Sequence, residues 1–122
     1  MRAVVQRVAW AEVESDGSVV GRIEGGLLVY VGVGLDESAE AAAKLADKVA
    51  NLRIFEDDAG KLNLSVQDAR GGVLAVPNFT LMADASKGRR PALTAAAPAK
   101  LAEARYDAFV EALRRYDVTV AG

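Results

Sequence analysis

Apolar and polar side chains alternate along the first fifteen residues. In an extended chain Val4, Gln6 and Val8 fall on one side and Val5, Arg7 and Ala9 on the other, and Ala11 and Val13 then interleave with Glu12 and Glu14. A period of two marks a half-buried strand, so strands are predicted over about residues 2–15, with room for a bend. Asp16-Gly17-Ser18 is a hairpin signal, because Asp and Gly tolerate the positive φ that tight turns need. Val19–Ile23 reads as the next strand and Glu24-Gly25-Gly26 as the next turn. Leu27–Val33 is almost wholly apolar and rich in β-branched residues, the pattern of a strand buried on both faces.

The period then changes. Ala42, Leu45, Ala46, Val49 and Leu52 make one stripe at helical spacing, predicting a helix over about residues 37–52 with Asp36 or Ser38 as its cap. Arg53–Phe55 is a short strand, and Asp57-Asp58-Ala59-Gly60 a loop. Gly71-Gly72 introduces another buried strand, Val73–Val76, which Pro77 ends. Pro98 opens a second helix, where a first-turn proline is tolerated, and Ala102, Tyr106, Phe109, Val110 and Leu113 form its core stripe to about residue 115. Val118–Val120 begins a last strand. The order of elements predicts one α+β domain of antiparallel sheets with two main helices, built from the early strands and the segment around 73–81.

Composition narrows the chemistry. The 122 residues suit one domain, and 52% apolar content supplies a core. No apolar run is long enough to span a bilayer, and Gln6 and Arg7 break any signal-peptide pattern, so a cytoplasmic protein is expected. The chain has neither cysteine nor histidine. That removes disulfides, Cys nucleophiles, Cys or His zinc sites and a Ser-His-Asp triad within one chain. A net charge of −2 does not indicate a globally basic nucleic-acid binder. The one dense basic cluster is Lys87-Gly88-Arg89-Arg90-Pro91. A run this short suits a solvated loop as well as a phosphate contact.

Several strings, in order, resemble the D-aminoacyl-tRNA deacylase family. They are Gln6-Arg7-Val8; Gly25-Gly26-Leu27-Leu28-Val29 with Gly32-Val33; Arg53-Ile54-Phe55 with Asp57, Gly60-Lys61 and Asn63-Leu64; Phe79-Thr80-Leu81 with Ala83-Asp84; Gly88, Arg90 and Pro91; and Tyr106 with Phe109-Val110. The resemblance implies a homodimer that needs no metal or cofactor. It implies a substrate in which an amino acid is esterified to the 3′-terminal adenosine of tRNA. It also implies acceptance of D-amino acids and glycine and rejection of L-amino acids.

The family's catalytic signature, Ser-Gln-Phe-Thr or Ser-Gln-Met-Thr, aligns with Pro77-Asn78-Phe79-Thr80. The resemblance implies backbone N–H donors here for the developing oxyanion. That role carries over to Phe79 and Thr80 but not to Pro77, which has no N–H. Asn78 is one methylene shorter than glutamine, about 1.5 Å less reach. Relatives with Pro-Gln-Ala-Thr here act on misplaced L-alanine; Pro77 points that way and Phe79 away from it. Thr80 resembles the hydroxyl once favoured as nucleophile, but with no histidine to activate it, assistance from the ribose 2′-OH is the favoured route. By resemblance Arg7 helps position the chirality-checking loop, with Gln6 beside it, and Lys87, Gly88, Arg90 and Pro91 meet the tRNA 3′ end. Without the resemblance, Thr80 reads as a strand-end β-branched residue and Arg7 as an exposed strand arginine.

Family members continue into strands carrying an Asn-X-Gly-Pro motif. The three prolines here, Pro77, Pro91 and Pro98, do not supply it. Three expectations follow: an incomplete version of a working deacylase, a short relative that keeps tRNA binding without editing, or a non-catalytic dimerisation module. The first is favoured.

Overall fold

The computed structural model describes residues 1–35 and 38–121. In chain order its elements are β1 (Arg2–Val8), β2 (Ala11–Ser15), β3 (Ser18–Ile23), β4 (Gly26–Gly32), α1 (Ala39–Asn51), β5 (Phe55–Glu56), β6 (Leu62–Leu64), β7 (Gly72–Pro77), a 3₁₀ turn (Phe79–Met82), α2 (Ala99–Leu113) and β8 (Thr119–Ala121). Ser38 caps α1, its side chain accepting from the Ala41 N–H. The other expected cap, Asp36, lies outside the described residues. Asp16 and Gly17 have φ of 51° and 80°, the two positive values a type I′ hairpin turn needs, and they join β2 to β3.

The central sheet has the order β1-β4-β7-β8. β1 pairs antiparallel with β4. β4 with β7, and β7 with β8, pair parallel. The sheet is therefore mixed, where the sequence reading expects the 73–81 segment in antiparallel pairing. The cause is connectivity: α1 lies between β4 and β7 and α2 between β7 and β8, and a helical crossover returns the chain in its original direction. Strand geometry stops at Pro77, as the sequence reading expects, and the rest of the 73–81 segment is a 3₁₀ turn rather than sheet. Proline cannot donate to a ladder, and Asn78 caps the 3₁₀ turn that follows.

The two sheet faces are covered differently. Leu27, Val29, Val31, Val73 and Ala75 meet Ala42, Ala46 and Val49 of α1 and Phe109, Val110 and Leu113 of α2. On the opposite face Leu74 meets Ala11 and Ile23 of the β2–β3 hairpin. Cover on both sides explains why β4 carries little polarity. The hairpin reaches only the half of its face nearest Gly26 and Gly72, where the backbones are so close that a Cβ on Gly26 would lie 1.9 Å from the Gly72 carbonyl oxygen. The other half is left open, with Val4 48% exposed. None of the described helices is long and apolar enough to cross a membrane.

Candidate active site

The Pro77-Asn78-Phe79-Thr80 segment sits where β7 leaves the sheet. The Asn78 N–H donates to the Val31 carbonyl at 2.8 Å, which continues the β4–β7 ladder by one bond. The chain then turns over the end of β4. A Cβ on Gly32 would lie 2.8 Å from the Leu81 Cβ and 3.2 Å from the Asn78 carbonyl oxygen, so the turn is seated where only glycine leaves room. Arg2 holds the far side of the turn, its Nη1 donating to the Leu81 carbonyl at 2.8 Å.

At the head of the turn the Asn78 Oδ1 accepts from the Thr80 N–H at 3.0 Å and also from the Thr80 hydroxyl. The shorter amide, lacking glutamine's reach, folds back as a cap. The Phe79 N–H has no acceptor among the described residues. One peptide donor is thus open and its neighbour is held by a side chain that can rotate. The Thr80 hydroxyl points its proton at a carboxamide oxygen, which is no general base, so nothing here activates it for attack.

Phe79, 60% exposed, borders a cavity of about 330 Å³ between the turn and α2. Val31, Val33, Asn78, Glu103 and Tyr106 also line it. The half-buried Tyr106 donates its hydroxyl to the Ala75 carbonyl at 2.9 Å, past the last described β7–β8 pair. Burial, then the charge of Asp107, raises its pKa above the ordinary tyrosine value, so it stays a neutral donor near pH 7.

The basic loop follows the turn directly. Asp84 and Ala92 exchange two 2.8 Å backbone bonds that close its base, and the Asp84 carboxylate accepts from the Ser86 N–H at 2.9 Å. Gly88 turns the tip at φ 93°. Lys87, Gly88, Arg89, Arg90 and Pro91 are all exposed, and the three cations have no partner among the described residues.

Gln6 and Arg7 do not join this cluster within one protomer. Gln6 pairs with Leu28 on the sheet face that carries Val4. Arg7 points to the other face, donating to the Ile54 carbonyl at 2.9 Å with Glu56 at 3.9 Å. Arg7 is five residues from Arg2 along one strand, roughly 17 Å. It lines a different hollow, with Glu24, Gly26 and Phe55. Sequence reasoning missed Arg2 and Glu103, because neither carries a motif and both reach the site only through folding. It placed Tyr106 in the core stripe without seeing its hydroxyl bond.

A family model described as D-Tyr-tRNA(Tyr) deacylase matches residues 4–122. The chain belongs to the D-aminoacyl-tRNA deacylase family. The D-aminoacyl-tRNA deacylase of Thermosipho africanus is 50% identical over 120 residues, covering 98% of this chain and 80% of the relative. That of Thermotoga petrophila is 53% identical with the same coverage. Among solved structures, one named c-Myc DNA Unwinding Element Binding Protein matches with a TM-score of 0.91 and 36% identity, over 98% of this chain and 83% of the other. A second, a probable eukaryotic D-amino acid tRNA deacylase, shares the fold at a TM-score of 0.78 and 20% identity, over 94% of this chain and 67% of the other. Among the described residues of this deacylase-family chain, no three acidic side chains converge on a potential metal position.

Proposed function

We propose that this chain hydrolyses the ester between a D-amino acid, or glycine, and the 3′-terminal adenosine of mischarged tRNA, a proofreading step in translation in the cytoplasm. The observation that carries the reading is the Phe79 N–H, left without an acceptor at the lip of the cavity, next to the Thr80 N–H that only Asn78 occupies. Two adjacent peptide donors fit an ester carbonyl as it becomes an oxyanion, and such donors lower the barrier because they act where charge develops. When the carbonyl oxygen arrives, Asn78 Oδ1 yields the Thr80 N–H. Water adds to the carbonyl carbon, the ribose 2′-OH helps carry its proton, and the acyl–oxygen bond to the 3′-oxygen breaks. The 3′-oxygen leaves with the proton, giving a free amino acid and tRNA with a free 3′-OH.

The basic loop supplies phosphate contacts for the tRNA 3′ end through Lys87 and Arg90, with Gly88 and Pro91 shaping the tip. A homodimer accounts for the open half-face around Val4 and for the distance of Gln6 and Arg7 from the turn. In a two-fold pairing along β1 the strand ends are exchanged, so the residue-7 end of one protomer approaches the residue-2 end, and hence the turn, of its partner.

Hydrolysis of matched D- and L-aminoacyl-tRNA tests the assignment, and two variants test the route. Thr80→Ala should keep most of the rate, whereas a substrate with a 2′-deoxy terminal adenosine should lose it. The reverse pattern would make Thr80 the nucleophile.

A further inference from the structure

The 3₁₀ turn that carries the Phe79 and Thr80 N–H groups has little of its own to hold it in shape. Four residues are too few for helical cooperativity. Its backbone bonds are the Leu81 N–H to the Asn78 carbonyl at 3.3 Å and the Ala83 N–H to the Thr80 carbonyl at 3.0 Å, with the Asn78 Oδ1 capping the Thr80 N–H. None of its side chains is buried. Core packing thus contributes little to the direction in which its peptide donors point, and bonds to the sheet have to supply it.

Two bonds do so, one at each end of the turn. At the entrance the Asn78 N–H donates to the Val31 carbonyl at 2.8 Å. At the exit the Leu81 carbonyl accepts from the Arg2 Nη1 at 2.8 Å. Arg2 stands opposite Gly32 in the β1–β4 ladder, and Gly32 follows Val31, so the two anchors sit on neighbouring rungs of one ladder. Phe79 and Thr80 lie between them. The Leu81 carbonyl is the one partner of the Arg2 guanidinium among the described residues. A guanidinium stays charged at any working pH, and a charged donor holds a carbonyl more strongly than a neutral one.

We propose that Arg2 is a positioning residue for deacylation: by clamping the Leu81 carbonyl it fixes the Phe79 and Thr80 peptide donors in the direction the oxyanion needs. This rests on the deacylase reading above. Arg2 touches neither substrate nor the reacting atoms. It acts through the backbone, and preorganised donors lose their effect when the segment that bears them can swing.

The test compares the wild type with Arg2→Met, which keeps the length of the side chain without its donors, and Arg2→Lys, which restores a charged donor. Hydrolysis of D-aminoacyl-tRNA by Arg2→Met should show kcat lowered about tenfold, a part of what loss of a whole oxyanion donor costs. KM should stay within about twofold, because the donors act in the transition state. Arg2→Lys should recover most of the rate. Amide hydrogen exchange supplies a readout besides activity: the Leu81 and Ala83 N–H groups should exchange faster in Arg2→Met, while those of β4 and β7 keep their protection. The urea midpoint and the mass by light scattering should match the wild type. A raised KM with unchanged kcat would make Arg2 a tRNA contact, and a lowered mass alongside the lost rate would assign the effect to subunit pairing; either overturns the inference. Wild-type kcat in Arg2→Met, or unchanged exchange at Leu81 and Ala83, would overturn it while the deacylase reading stands. A wild-type protein without hydrolysis would remove both.

Discussion

At the scale of single residues, the chain repeatedly uses short polar side chains to fasten local backbone. Asn78 does so at the 3₁₀ turn. Asp57 does so in the loop before β6, where its carboxylate accepts from the Ala59 N–H at 2.9 Å, the Lys61 N–H at 3.0 Å and the Asn63 Nδ2 at 3.2 Å. The Lys61 N–H, above all, lowers the Asp57 pKa below its ordinary value of 3.8, with Ala59 and Asn63 acting in the same direction and partial burial opposing. A carboxyl whose folded pKa lies below its unfolded value adds stability that is complete above the unfolded value. That stability is lost as pH falls through the folded value. Asp57→Asn should therefore lower stability near neutral pH and shrink the loss between about pH 4 and the lowered folded pKa. Urea unfolding followed from pH 7 down to pH 2 checks this; an unchanged acid limb would show that other carboxylates dominate. The capping role of Asp57 is half legible in sequence, since Asp-Asp-Ala-Gly announces a turn. Which aspartate accepts the bonds is decided by loop geometry.

At the scale of elements, the 3₁₀ turn and the basic loop form one continuous excursion from β7. Its root is fixed by the Asn78–Val31 bond and its neck by the Asp84–Ala92 pair. The cations at the tip are thus carried at a set distance from the peptide donors at the root, which suits a ligand with a phosphate chain at one end and an ester at the other. Replacing Lys87, Arg89 and Arg90 together by alanine should weaken tRNA binding about equally for all tRNA sequences. It should also reduce the slope of log K against log salt by about 0.7 for each phosphate that is no longer neutralised on a single-stranded end. Filter-binding titrations at four salt concentrations measure the slope. No change would assign the cluster to solvent alone. The strands and helices of this region are legible as elements, because their hydrophobic periods are clear. The turn is not, because four residues are too short to show a period, and Phe-Thr-Leu-Met is as good a strand sequence as a turn sequence.

At the scale of the whole molecule, the structure has three layers, helices on one face of the sheet and a hairpin on half of the other. The uncovered half-face carries Val4, and β1 is the outer strand of the central sheet. An uncovered half-face carrying Val4, beside a strand edge with no neighbour among the described residues, favours self-association with two-fold symmetry. Light scattering at micromolar concentration should give twice the monomer mass, and Val4→Lys should shift it toward monomer by placing a charge in the interface. If the variant remains dimeric, the pairing uses another surface. Deacylation should fall in parallel with dimer loss if the partner's Arg7 end completes the site.

The sequence by itself determined the two helices with most of their core stripes, the main strands, the Asp-Gly hairpin turn and the family, but not β6 or the 3₁₀ turn. Each of these rests on local chemistry: side-chain period, the φ tolerance of Asp16-Gly17, and the order of short motifs. It could not determine strand direction, because period-2 alternation is the same in parallel and antiparallel strands; the crossovers through α1 and α2 decided that. Nor could it show that Gln6 and Arg7 lie at the opposite end of β1 from the turn that Arg2 holds. Distance along a sheet depends on register, and register is a tertiary property. Tertiary packing alone brings Glu103, twenty-three residues after Thr80, to the cavity beside Phe79, because α2 folds back across the end of the sheet from which the turn departs.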